Sequence, residues 1–400
     1  MTEGVAMNRA FRFALLSDLH IGLPQTIWHH PHRFHLIECS IPAFEQILTE
    51  LAELDLDFLL LPGDLTQHGE RENHHWLLQQ LRQLPYPVYV VPGNHDMPAA
   101  ASDRDRTGVA EFVELYQDFG FTSDRPYYRQ TLVPDLDLFG LNSIAFDESG
   151  HQLHRGRVDR EQLDWLQQEL AASTAAQRWV MIHHNVLEHL PDQQKHPLGQ
   201  RYILENAEEL RSVLESGGVS VIFTGHLHIQ ATSQQGRLWE VTTGSLVSYP
   251  HPYRLGTIQP AADSWQLELQ SRRVQSIPSH PDLQGFSHDW MGDRSQSYLL
   301  RLLTHEPLNL SEAEAIALLP ALRNFWAGVA DGDTTVPSLV EAPPHVQAYF
   351  HRYSRAQQID NQATLALASF GRQQSQHRGV AMQIAAASDR ADFAIAEKAS

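Results

Sequence analysis

Short apolar runs, each ending in a polar loop, set the rhythm of this chain up to Gly225: Phe11–Leu16, Phe58–Leu61, Pro87–Val91, Leu136–Leu141, Trp179–Ile182 and Val219–Phe223. Each is too short for a helix and bounded by turn residues, so each predicts a strand. Their unbroken apolar character suits strands covered on both faces. Between them the period changes to 3.6. Ile37, Ile41, Phe44, Leu48 and Leu51 share one helical face, with Pro42 tolerated in the first turn. Leu163, Leu166 and Leu170 follow Asp159, an N-cap with Gln162 three residues on. A third helix is predicted over Tyr202–Leu214, stopping at Gly217-Gly218. Strand, loop, helix, strand is the α/β pattern. Further on, Trp265, Leu267 and Leu269 alternate as in a half-buried strand.

The character changes after residue 275. SIPSHPDLQG reads as a linker, and helical segments follow at Tyr298–Leu303, from Ser311 with Glu314 completing a capping box, and at Val346–Tyr353. Pro320 is predicted to break or restart the second of these. The chain therefore divides into an α/β domain over 10–275, a mainly helical extension over 276–375 and a flexible, Ala-rich tail over 376–400. Hydrophobic residues make up 42% of the chain, enough for a large core. The net charge of −19 argues against a general binder of nucleic acid or anionic membrane, which needs a basic field. Cys39 stands alone, so no internal disulfide forms. No apolar run approaches the roughly 18–20 residues of a membrane span, and the N-terminus lacks the apolar core of a secretory leader. The expected location is cytoplasmic.

The chemistry lies where the strands end. The first run leads into Asp18-Leu19-His20, the second into Gly63-Asp64, the third into Gly93-Asn94-His95-Asp96, the fifth into His183-His184-Asn185 and the sixth into Gly225-His226-Leu227-His228. Open α/β sheets bind ligands beyond the carboxyl ends of their strands. Each piece alone has an ordinary explanation: Asp-x-His as a cap, Gly-Asp as a turn, His183-His184 as a surface pair of which one is not a ligand. Gly-Asn-His-Asp is rarer, since at residue frequencies of about 5% a given four-residue string is expected about 0.003 times in such a chain. Together these ends supply carboxylates, imidazoles and an amide, donors that suit manganese, iron or zinc. They are too many for one ion, and two-metal sites hydrolyse phosphate esters. There is no G-x-G-x-x-G, Walker A, G-x-S-x-G or H-E-x-x-H signature to suggest another chemistry.

In this order, Asp18-x-His20, Gly63-Asp64, Gly93-Asn94-His95-Asp96, His183 and Gly225-His226-x-His228 resemble the calcineurin-like metallophosphoesterases over residues 10–250. The wording of SDLHIG, LLLPGDLTQHGE, VVPGNHD and FTGHLH is similar to the bacterial cyclic-nucleotide (class III) phosphodiesterase branch. The resemblance implies an αββα sandwich with a pair of divalent or trivalent metal ions at one edge. It implies that Asp18, His20 and His228 hold the first ion, Asp64 bridges, and Asn94, His183 and His226 hold the second. One departure is Asn185, where the family often has proline after the double histidine. His95, adjacent in sequence to a ligand but not itself one, suits a general acid, or a cation that stabilises transition-state charge. Asp96 is expected to hold its loop by hydrogen bonds. The implied attacking group is a metal-bound hydroxide, water whose pKa falls from ~15.7 towards ~7.

The expected activity is hydrolysis of small phosphodiesters, cyclic nucleotides first. Phosphomonoesters, glycerophosphodiesters and pyrophosphates are the alternatives within the same chemistry. A non-catalytic metal-binding scaffold is the alternative outside it, disfavoured because every candidate ligand and His95 are present. The run Trp28-His29-His30-Pro31-His32-Arg33-Phe34-His35 is read as a solvated loop or as pocket lining, with its histidines or Arg33 meeting phosphate and Trp28 stacking on a base. His68 and His184 are expected behind the metal ligands and His74-His75 at the surface, while the C-terminal region either covers the site or pairs two copies of the chain.

Overall fold

Alternate side chains on the central strands point to opposite layers, and this builds the fold. The structure is a computed structural model and describes residues 9–28, 33–262, 264–336, 339–354 and 359–369. In chain order its main elements begin β1 (Phe11–Leu15), α1 (Ser40–Ala52), β2 (Phe58–Leu61), α2 (Arg71–Leu81), β3 (Val88–Val90), α3 (Val109–Leu115), β4 (Tyr128–Val133) and β5 (Leu136–Gly140). Then come α4 (Arg160–Ala172), β6 (Gln177–Met181), α5 (Pro197–Gln200), α6 (Ala207–Ser216), β7 (Val221–Thr224), β8 (Ala231–Gln235), β9 (Leu238–Thr242), β10 (Pro252–Pro260) and β11 (Trp265–Arg273). The chain continues through α7 (Leu283–Thr304), α8 (Glu312–Leu322), α9 (Phe325–Asp331) and α10 (Pro344–His351) to β12 (Gln362–Leu367).

Two six-stranded sheets form, in the orders β12-β11-β10-β1-β2-β3 and β4-β5-β6-β7-β9-β8. Strands β1, β2 and β3 run parallel, as do β5, β6, β7 and β9. Trp179 and Met181 of β6 and Val221 and Phe223 of β7 share one core with Phe13 and Phe58 of the first sheet. Ring centroids there lie 5.2 Å apart for Phe13–Phe58 and 5.4 Å for Phe13–Trp179. The residues between them, Val180 and Ile222, face the other way and pack with Leu163, Leu166 and Leu170 of α4 and Leu210 and Leu214 of α6. On the far side of the first sheet, Phe44, Ile47 and Leu51 of α1 and Leu77 and Leu78 of α2 are buried. Helix, sheet, sheet, helix is the αββα sandwich.

The local signals act where the chemistry places them. Asp159 caps α4 by accepting from the Gln162 amide, and Ser311 and Glu314 close a capping box on α8. Pro320 lies inside α8, which ends two residues later before α9 restarts the helix. The predicted Tyr202–Leu214 helix starts only at Ala207, because Ile203 is taken into a β-bridge with Asn185. His74 is buried against Tyr116, contrary to the surface position expected for it, while His75 is exposed.

The segment after residue 276 is helical as expected, with a core of its own in which Leu299, Leu303, Leu322, Phe325, Val346 and Phe350 meet Leu227 and Ile229 from the loop after β7. It also contains a strand the sequence reading did not anticipate: β12 pairs antiparallel with β11, from Trp265↔Leu367 to Gln270↔Gln362. Among the described residues the chain thus leaves the first sheet, passes through α7, α8, α9 and α10 and returns to its edge. The tail over 376–400 and His29-His30-Pro31-His32 lie outside the described residues. Among the described residues no helix is long and apolar enough to cross a membrane.

Candidate metal centre

Parallel strands that start at one edge finish at the other, so the loops after β1, β2, β3, β6 and β7 converge. Backbone hydrogen bonds lock them together: Asp18 N–H to Gly63 O (3.1 Å), His20 N–H to Asp64 O (2.9 Å) and Gly225 N–H to His183 O (3.1 Å). The turns are sharp. Asp18, His20, Asp64, His226 and His228 all sit in the left-handed region, with φ between 43° and 64°. Non-glycine residues held there cluster at functional sites. Positive φ at both His226 and His228 supplies the bend that lets two histidines two residues apart serve different neighbours. Two glycines make the approach possible: a Cβ on Gly93 would lie 2.1 Å from Asp64 N, and one on Gly225 2.0 Å from Ser17 Oγ.

All seven expected ligands are brought together, in two groups that share one carboxylate. Asp18, His20, Asp64 and His228 offer donor atoms within 4.8 Å of one another, and so do Asp64, His183 and His226. In the first group His228 Nε2 lies 2.9 Å from Asp18 Oδ1, and His20 Nε2 lies 3.4 Å from His228 Nε2 and 3.7 Å from Asp64 Oδ2. In the second, His183 Nε2 stands 3.3 Å from Asp64 Oδ2 and 3.2 Å from Asn94 Oδ1. The other ring nitrogen of His183 is tied to Pro62 O at 2.8 Å, which fixes the ring.

The donor set fits metal ions. Asp18 and Asp64 are buried, and among the described residues neither has a Lys or Arg partner. Among the described residues His20 Nδ1 is buried without a hydrogen-bond partner. Burial, then the neighbouring His95, holds His20 well below the ordinary imidazole pKa, and burial with His184 does the same to His226. Burial works against the charged forms of Asp64 and His183 too, but their mutual attraction wins. His183 is raised to about 9, and Asp64 is held well below the usual carboxylate range. Buried carboxylates beside His20 and His226, two imidazoles held neutral, suit a bound cation.

His95 belongs to neither group. Its amide donates to Asp64 Oδ1 at 2.8 Å, and its Nδ1 is held by Gln67 O, which leaves Nε2 free to act. The ring meets His20 edge-on, with centroids 4.7 Å apart. Asp96 does hold the loop: its carboxylate accepts from Thr66 N–H at 2.9 Å and Gly93 N–H at 2.8 Å. His184 packs its ring on that of His226, centroids 4.1 Å apart, and shares a 2.8 Å hydrogen bond with Ser143 Oγ. His68 stacks on His95 at 5.0 Å, and Trp28 packs on His68 rather than lining the cavity. Arg33 is paired with Glu38.

Two features go further than the sequence marks: the place of His35, from the run read as possible pocket lining, and the wall of the cavity. His35 reaches the first group, its ring 4.8 Å from that of His20 and 4.7 Å from that of His228. A cavity of about 350 Å³ opens from Asp64, Asn94 and His95 and is walled by Met291 and Tyr298 of α7, Trp326 of α9, and Tyr349 and Tyr353 in and after α10. Arg201 and Arg294 also line it, and Asp64 is the sole carboxylate among its lining residues.

Carboxylates and imidazoles gathered at the strand ends of such a sandwich are the donor set of a metal centre. Residues 11–230 match the model of the calcineurin-like phosphoesterases, and the chain belongs to that family, hydrolases of phosphoric esters that use divalent metal ions. It is 24% identical over 265 residues to the 3',5'-cyclic adenosine monophosphate phosphodiesterase CpdA of Haemophilus influenzae, covering 60% of this chain and 84% of that one. A probable cyclic nucleotide phosphodiesterase of Fibrobacter succinogenes is 28% identical over 216 residues, covering 53% of this chain and 74% of the relative. In structure the chain is similar to purple acid phosphatase PPD1 from yellow lupin seeds, with a TM-score of 0.45 and 14% identity over 66% of this chain and 52% of the other.

Proposed function

We propose that this chain is a two-metal phosphodiesterase whose substrates are cyclic nucleotides. The observation that carries the two-metal reading is the sharing of Asp64 between two donor groups. In this reading Asp18, His20 and His228 hold one ion and Asn94, His183 and His226 the other, with Asp64 between them; manganese, iron and zinc all suit the donors. When bound, the ions supply Lewis acidity to the phosphoryl oxygens and make a water molecule acidic enough to attack near neutral pH. His95 gives its proton to the departing alkoxide, with Gln67 O keeping the ring's Nε2 turned to the task. Cyclic nucleotides fit the cavity: the aromatic walls accept a flat base, and Arg201 and Arg294 favour an anion. The same helices lining the cavity favour covering the site over pairing two copies as the role of the extension.

The test is hydrolysis of a chromogenic phosphodiester and its matching monoester by Mn²⁺-loaded and by chelated protein, followed by 3',5'-cyclic AMP. Diester preference that vanishes on chelation is the expected result. Monoester preference would move the chain to the phosphomonoesterases. Two bound ions with no turnover would favour a scaffold. Trp326→Ala is expected to raise KM for cyclic AMP about 10-fold, since stacking on an aromatic face contributes about 1–3 kcal/mol per base. A diester of two short alkyl groups, which has nothing to stack, is expected to show no such change. Equal effects on both substrates would remove Trp326 from the recognition of the base.

A further inference from the structure

The segment carrying His35 is held in place by a helix whose contacts lie 256 and 261 residues further along the chain. Trp290 Nε1 of α7 donates to Phe34 O at 2.9 Å, and Arg294 Nε donates to Arg33 O at 2.8 Å. The Arg294 guanidinium lies flat over the Trp290 ring, so the two donors brace each other. Phe34 packs against Met291 of α7 and Ala327 and Ala330 of α9. On the other side of His35, Leu36 N–H donates to Val247 O at 2.7 Å. Backbone groups immediately before and after one residue are therefore pinned, and what they present is an imidazole.

That imidazole meets the metal groups at one point. Nitrogens of His20, His35 and His228 lie within 4.8 Å of one another, and the latter two rings are 4.7 Å apart. Nitrogens that share one ion stand about 2.0–2.1 Å from it, hence about 3–4 Å from each other. The 3.4 Å between His20 Nε2 and His228 Nε2 already falls in that range, and His35 places a nitrogen within 4.8 Å of both rings' donors. Resting on the two-metal reading above, we propose that His35 is a further ligand of the ion held by Asp18, His20 and His228, and that α7 sets it there. The C-terminal helices then belong to the metal centre as well as to the cavity wall, and the first ion has one more protein donor than a centre built from the strand ends alone.

The test reads metal binding, independently of turnover. Wild type, His35→Ala, His35→Asn and Trp290→Phe are loaded with Mn²⁺, dialysed against graded chelator and assayed for bound metal, with binding also followed by electron paramagnetic resonance. His35→Ala is expected to weaken one of two equivalents about 10- to 100-fold and leave the other unchanged. His35→Asn, which offers an amide oxygen, is expected to recover part of the loss. Trp290→Phe keeps an aromatic ring, though a smaller one, and removes the donor to Phe34 O; it is expected to weaken the same equivalent by a smaller factor. Thermal melting of the chelated proteins separates a lost ligand from a lost fold. Two unchanged equivalents in His35→Ala would overturn the proposal, including the case in which only KM rises and His35 touches substrate instead. A wild type that retains no metal would overturn the two-metal reading itself.

Discussion

Asp64→Asn is expected to lower phosphodiester hydrolysis by about 10³-fold, the scale seen when one preorganised charge-stabilising group is lost. The side chain keeps its shape, and one of its polar atoms can still accept the His95 N–H that Asp64 Oδ1 accepts at 2.8 Å. What disappears is the negative charge standing 3.7 Å from His20 Nε2 and 3.3 Å from His183 Nε2. Since Asp64 is the one residue common to both donor groups, its loss reaches both ions. Metal analysis of the variant is therefore expected to show both equivalents weakened, unlike the single equivalent expected for His35→Ala. If Asp64→Asn kept both ions at wild-type affinity, the shared-carboxylate arrangement would be wrong.

His95→Ala is expected to cut kcat by about 10²- to 10⁴-fold, the usual contribution of a positioned acid. Metal content should stay at the wild-type value, because His95 lies outside both donor groups. The loss should be largest for an alkoxide leaving group, such as the ribose oxygen of a cyclic nucleotide, and smallest for a nitrophenolate, which departs without a proton. A loss of equal size across leaving groups would point to charge stabilisation rather than proton transfer. Full turnover with metal content unchanged would remove His95 from the mechanism. The arrangement behind this expectation includes the hydrogen bond to Gln67 O and the stack on His68, which together restrict the ring.

How much of this could be read from residues alone depended on the range of the interaction. Strand β2 falls on the four residues its apolar run predicts, because a strand covered on both faces writes its burial directly into the sequence. Hairpin β8–β9 was not read, because its outer half is polar and exposed and has no alternation to detect. Strand β12 carries only a short alternation, Ala363, Leu365 and Leu367 inward with Ala366 among the outward residues, and only the open edge of β11 gives it a partner. The start of α6 moved because a β-bridge at Ile203 outcompeted helical propensity.

The candidate ligands at the strand ends were legible because each is tied locally to a strand that the sequence marks, and parallel strands in a sheet deliver their ends to one edge. The rule marks the loops, and the family resemblance implies which of their residues, Asp18, His20, Asp64, Asn94, His183, His226 and His228, are the ligands. His35 follows no strand; it sits in a loop whose place at the metal centre depends on hydrogen bonds from Trp290 and Arg294. The cavity wall likewise draws on Tyr298, Trp326 and Tyr353, whose periodicity marks them only as apolar faces of helices. Sequence alone therefore determined the class of chemistry, since local strand and turn signals carry the ligands with them. Tertiary structure alone decided what covers that chemistry, because helix-to-loop contacts across hundreds of residues leave no periodic trace in either partner.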